Sequence, residues 1–182
     1  MPPAGFDFDR FLEAQAAVYE QVLTELRAGQ KRSHWMWFIF PQLRGLGSSP
    51  MSERYAIASI AEAAAYARHA LLGPRLVECT ELVIAAARRC LYSAGSSAAS
   101  PRAPRVDGRG AQPGCDARSE GHPASAIFGI PDDLKFRSSM TLFHEAARDE
   151  STFTRALAEC CGGHCDPRTL ALLQQHPARA DS

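Results

Sequence analysis

An all-α fold, a multihelical bundle of about seven helices, follows from three features of the sequence. Apolar residues recur at i, i+3, i+4 and i+7 in several windows. Cap and stop residues bracket those windows. No hairpin signal and no sustained strand alternation occurs. At 182 residues the chain is most simply one domain with a sizeable core. Hydrophobic content of 46% and charged content of 22% are ordinary for a globular protein.

The first helical window carries Phe8, Phe11, Leu12, Gln15, Val18, Tyr19, Val22, Leu23 and Leu26 on one face. Asp7 is placed to cap its start, and Gly29 to end it in a left-handed conformation. Next comes KRSHWMWFIFPQ, residues 31–42. Ser33 suits the N-cap of a short helix over His34–Phe40, which Pro41 stops. A strand there would have no partner. Gly45, Gly47, Ser48, Ser49 and Pro50 form a loop, and residues 51–57 suit one more helical turn. Ser59-Ile60-Ala61-Glu62 reads as a capping box before an alanine-rich helix. Gly73-Pro74 opens a helix with Leu76, Cys79, Leu82, Val83 and Ala86 on one face.

Residues 93–124 are rich in Gly, Pro, Ser, Ala and Arg, with Val106 the one large aliphatic residue. Such a stretch cannot bury enough apolar surface to offset its ordering entropy, so it reads as a disordered insertion. It also has the look of translated GC-rich non-coding sequence. Order returns at Ile127-Phe128-Gly129. Asp132 is the expected cap of a helix carrying Leu134, Phe136, Met140, Phe143 and Ala147. Ser151 is the expected cap of another with Phe153, Ala156, Leu157 and Cys160, ended by Gly162-Gly163. Asp166-Pro167 starts a last helix. Residues 6–175 are thus expected to form a single helical domain interrupted at 93–124, and 176–182 a polar tail.

Several function classes recede. Lys+Arg and Asp+Glu are 20 each, so no global charge favours nucleic acid or an anionic membrane. No run of ~18 apolar residues suggests a membrane span, and the N-terminus lacks signal-peptide character. Cys79, Cys90, Cys115, Cys160, Cys161 and Cys165 lack framework spacing, so reduced thiols and a cytoplasmic location are expected. No dinucleotide or P-loop fingerprint occurs, and no cofactor is expected.

The long stretches FDFDRFLEAQAAVYEQVLTELRAGQKRSHWMWFIFPQLRGLG, MSERYAIASIAEAAAYARHALLGPRLVECT and IFGIPDDLKFRSSMTLF resemble the domain of unknown function 1810 family. The likeness covers most of residues 6–92 and 125–174. It implies a multihelical fold and brings no established reaction. Two departures stand out: the 93–124 insertion where the family has a short link, and CCGGHC at 160–165.

Two stretches carry candidate chemistry. In KRSHWMWFIFPQ, His34 is placed as a general base or hydrogen-bond donor. Trp35 or Trp37 offers a stacking face, and Gln42 a polar edge. In a helix the two indoles lie about 200° apart, so at least one belongs to the core. In DDLKFRSSMT, residues 132–141, Lys135 near the Ser139 hydroxyl suits a phosphate, and Asp132 or Asp133, if partly buried, suits an acid or base, with Asp133 the candidate. The plainer alternative is a first-turn acid with an Asp133–Arg137 pair. In CCGGHC the ligand spacing argues against a metal site. The expected function is therefore a pocket for a small nucleotide-like or phosphosugar ligand, with or without turnover, built from His34, Asp133, Trp35, Trp37, Gln42, Lys135 and Ser139. The competing expectation is a protein-interaction module in which these segments serve as core.

Overall fold

The structure, a computed structural model, describes residues 5–95 and 122–175. Among these residues ten helices occur: α1 (Asp9–Ala16), α2 (Tyr19–Arg27), α3 (Met36–Ile39), α4 (Pro50–Arg54), α5 (Ile60–Arg68), α6 (Leu72–Gly95), α7 (Pro123–Phe128), α8 (Asp132–Ala146), α9 (Ser151–Cys160) and α10 (Pro167–Gln175). The expected insertion at 93–124 is trimmed by helix at both edges. Residues 96–121 and the expected tail lie outside the described residues.

The count exceeds seven in part because α7 forms ahead of α8 and in part because the first helical window splits at Ala17–Val18. The buried Gln15 side chain explains the division. Its Nε2 donates to the Phe38 carbonyl at 2.8 Å and to the Tyr66 hydroxyl at 3.1 Å, tying α1 to α3 and α5. Val22, Leu23 and Leu26 of α2 are buried in a second direction, where α2 packs on α6. Asp7 stands one residue before the N-cap of α1, which is Phe8, and accepts the Asp9 amide at 2.9 Å. At the end of α2, Gly29 has φ +69, Gly29 N–H reaches Leu26 O and Gln30 N–H reaches Glu25 O, a Schellman ending.

At 24 residues, α6 is the longest helix, about 36 Å long. It packs against α2, α5, α7 and α9. The expected face is buried at Leu76, Cys79, Val83 and Ala86, with Leu82 packed against it. Its start is capped by His69, whose Nδ1 accepts the Leu71 and Leu72 amides at 3.2 Å. Gly73 faces the end of α5 so closely that a Cβ there would lie 2.1 Å from the Ala67 carbonyl oxygen.

Three expected caps give way to others. Ser33 does not cap a helix over His34–Phe40: α3 spans only Met36–Ile39, and the Ser33 hydroxyl donates to Glu25 at 2.6 Å. Asp132 does not cap α8, because its carboxylate is held by two lysines. Glu150, not Ser151, caps α9 by accepting the Thr152 amide at 3.0 Å. In contrast, Ser59 caps α5 as expected, although the Glu62 carboxylate takes the Ala58 amide and Arg10 instead of completing a capping box. Asp166 caps α10 through both the amide and hydroxyl of Thr169. Leu134 leaves the expected apolar face and is 47% exposed, while Phe136, Met140 and Phe143 are fully buried. One isolated parallel bridge, Leu43 with Ile57, links the segments after α3 and α4.

The irregular loop 30–35 is organised by one side chain. Glu25 is 7% exposed, and its carboxylate accepts from Arg32 N (2.7 Å), Ser33 N (3.1 Å), Ser33 Oγ (2.6 Å), Trp35 Nε1 (2.8 Å) and Gln21 Nε2 (3.1 Å). Burial alone would raise its pKa. The Ser33, Arg32 and Trp35 hydrogen bonds outweigh burial and bring it from 4.5 to about 2. Because the folded pKa is the lower one, the stabilisation is present above the ordinary carboxylate range and fades as pH falls toward 2. The difference corresponds to roughly 3 kcal/mol.

Two outcomes are expected. Glu25→Gln places an amide opposite fixed donors, and its melting point at neutral pH falls by about 6–12 °C. The gap to wild type narrows progressively below about pH 4.5 and closes near pH 2, which thermal melts across pH will show. Gly73→Ala costs about 1–3 kcal/mol through overpacking against a backbone that cannot yield, read as a lower denaturant midpoint at unchanged slope.

Candidate functional site

The two sequence stretches with candidate chemistry meet in space. Asp132, in the first turn of α8, receives Lys31 Nζ on Oδ2 at 2.6 Å and Lys135 Nζ on Oδ1 at 2.7 Å. The loop carrying Lys31 is also tied to α7, since Lys31 N–H donates to the Ile127 carbonyl at 3.0 Å. Each ammonium then lies against an indole. Lys31 is 5.5 Å from the Trp35 ring centre, and Lys135 is 4.6 Å from that of Trp37. Burial alone would raise the Asp132 pKa; the two lysines outweigh it and hold the carboxyl below its ordinary range. Two cations share one anion, so the cluster keeps an excess positive charge. The Lys31 side chain is 10% exposed and that of Lys135 24%, so Lys135 is the one presented to solvent.

The two tryptophans divide as helical geometry requires. Trp35 is 1% exposed, bonded to Glu25, and packed against Phe40 and Phe128. No stacking face remains for a ligand. Its neighbours belong to an aromatic cluster with Phe136, whose ring centre is 5.0 Å from both Phe40 and Phe128. Trp37 is half-buried and, with Gln42, lines a depression completed by Leu43, Arg44, Glu53 and Tyr55. The enclosed space is about 20 Å³, room for one water, so a larger ligand would lie across the surface rather than within it.

The other named residues stand apart. His34 is exposed on the loop and does not line the depression. Asp133 accepts from Ser125 Oγ at 2.6 Å and from Leu134 N at 2.8 Å, which turns it toward α7. Arg137 approaches Asp166 at 3.8 Å instead of forming the i, i+4 pair with Asp133. Ser139 is fully buried, and its hydroxyl has no hydrogen-bond partner among the described residues. The structure therefore places Gln42 with Trp37 in the depression and Lys135 over the Trp37 ring, while Trp35 and Ser139 belong to the interior. Sequence reasoning missed Lys31, Asp132 as an ion-pair centre, Glu25 and Arg44. No local pattern links position 31 to position 132.

The CCGGHC stretch closes α9. Cys160 and Cys161 are buried, and burial pushes both thiols up to about 12. Gly162 and Gly163 have φ +65 and +78 and turn the chain. Among the described residues, no group of three or more His, Cys, Asp or Glu side chains is arranged to hold a metal ion. No described helix is long and apolar enough to cross a membrane.

Comparison with known proteins places this geometry in context. No curated protein matches the chain. A crystal structure of the conserved hypothetical protein Rv1873 from Mycobacterium tuberculosis is similar, with 48% sequence identity and a TM-score of 0.70. The similarity covers 93% of this chain and 97% of that one. The family described as protein of unknown function (DUF1810) matches residues 5–94 and 115–173, so both halves of the Lys31–Asp132–Lys135 cluster fall within the match. The chain belongs to the DUF1810 family.

Proposed function

We propose that the protein binds a small anionic ligand with a flat ring, such as a nucleotide or phosphosugar, across the surface formed by Trp37, Gln42, Arg44 and Lys135. The carrying observation is the Lys135 ammonium held over the Trp37 ring by Asp132, which presents a cation and an indole as one surface. Excess positive charge at the cluster, and the exposed Arg44 that lines the depression with Trp37, favour an anionic group. Gln42 offers a polar edge next to the indole. His34 and Asp133 lie outside this surface, so the reading is one of binding, with no general base assigned.

A second reading has its own observation. Ile130, in the turn before α8, and Leu134, in the first turn of α8 and adjacent in sequence to Lys135, are 69% and 47% exposed. In that reading this corner docks a protein, and Trp35, Phe38 and Phe40 serve only as core.

A thermal-shift titration with nucleoside diphosphates and hexose phosphates tests the proposal. A ligand at a hundred times its Kd adds about 2.7 kcal/mol to stability, an easily read shift. The shift is expected in wild type and lost in Lys135→Ala and in Trp37→Ala, each checked for fold by circular dichroism. It is expected to survive in His34→Ala. A panel without any shift, or a shift untouched by both substitutions, removes the proposal in favour of the docking corner.

A further inference from the structure

A second concavity, sharing no lining residue with the Trp37 surface, lies between α5, α6 and the turn joining α8 to α9. Its volume is about 320 Å³, inside the ~300–1,000 Å³ range of small-molecule sites. The floor is apolar and is made by Ala64 and Ala67 of α5, Val77 of α6 and Phe153 of α9. The short alanine side chains leave the space open, and the larger Phe153 ring closes it from below, being 1% exposed.

The rim carries four charges, of which two are already engaged. Arg148 is paired with Glu145 at 2.8 Å. Glu150 caps α9 through the Thr152 amide. Arg68 and Asp149 remain, both exposed, their side chains making no hydrogen bond or ion pair with another described residue. One cation and one anion therefore border an apolar floor, with little net charge between them. A ligand bearing a single charge satisfies only one of them. A molecule with a carboxylate, an ammonium and an apolar body satisfies the whole surface.

We propose that this groove binds a free amino acid with an apolar side chain. Its carboxylate faces Arg68, its ammonium faces Asp149, and its side chain lies on Ala64, Ala67, Val77 and Phe153. The assignment is independent of the Trp37 surface and stands or falls separately.

Isothermal titration of the full chain with L-leucine and L-phenylalanine, and with 4-methylpentanoate and 3-methylbutylamine as single-charge analogues, tests it. The amino acids are expected to bind saturably, and each analogue about tenfold or more weaker. Arg68→Gln and Asp149→Asn, both at exposed positions, are each expected to weaken the amino acid by a similar factor. Ala64→Leu, which fills the floor without altering charge, is expected to abolish binding while phosphate-ligand shifts at Trp37 stay unchanged. No binding of either amino acid overturns the proposal. Equal binding of the single-charge analogues, or indifference to both rim substitutions, also overturns it.

Discussion

The Glu25 carboxylate is the interaction from which the candidate surface is built. Among the described residues it has no cationic partner and is solvated instead by five donors, four of them from residues 32–35 and the exception from Gln21. A buried anion is tolerable only when its lone pairs are filled, so the loop must adopt one conformation to fill them. That conformation places Trp35 in the core and Lys31 beside α8. Lys31 then reaches Asp132, Asp132 holds Lys135, and Lys135 covers Trp37. Glu62 does a related job elsewhere. It is 5% exposed, takes the Ala58 amide and Arg10, and fixes the irregular link between α4 and α5.

Helix α8 joins most of what this chain presents. Its first turn carries Asp132 and Lys135, its middle carries the buried Phe136, Met140 and Phe143, and Thr141 accepts the Asp166 amide that starts α10. Its last turn reaches Ala146, at the edge of the larger groove. Fifteen residues separate the two surfaces by about 20 Å along one rigid rod. Both therefore depend on how α8 seats against α5 and α9, its main neighbours.

Much of this architecture was legible locally. Gly29, Ser59 and Asp166-Pro167 act as sequence rules say, because a cap needs only residues a turn away. The buried faces of α6 and α9 were likewise visible as periodicity. What failed were local rules outcompeted by remote partners. Ser33 serves Glu25 rather than a helix, and Asp132 serves two lysines rather than the amides of its own helix. Leu134 shares a helix with buried residues yet faces outward, 47% exposed, while its neighbours Asp132, Asp133 and Lys135 turn toward Lys31, Ser125 and Trp37. For the site, the two candidate stretches were found, and helical geometry required that the tryptophans separate. Which indole would be sealed depended on Glu25, ten residues earlier, and the burial of Ser139 on the packing of α8. Neither leaves a local trace.

The separation of Trp35 and Trp37 has an optical corollary. They are the only two tryptophans in the chain. One is enclosed by phenylalanines with its N–H on a carboxylate, and the other lies half-exposed beneath an ammonium. Indole emission from this protein therefore arises entirely within three residues, from two rings in unlike surroundings, one sealed and one half-exposed. The interior emitter reports the charge state of Glu25, and the outer one reports whatever settles over Lys135, so the molecule carries its own unlabelled pair of fluorophores.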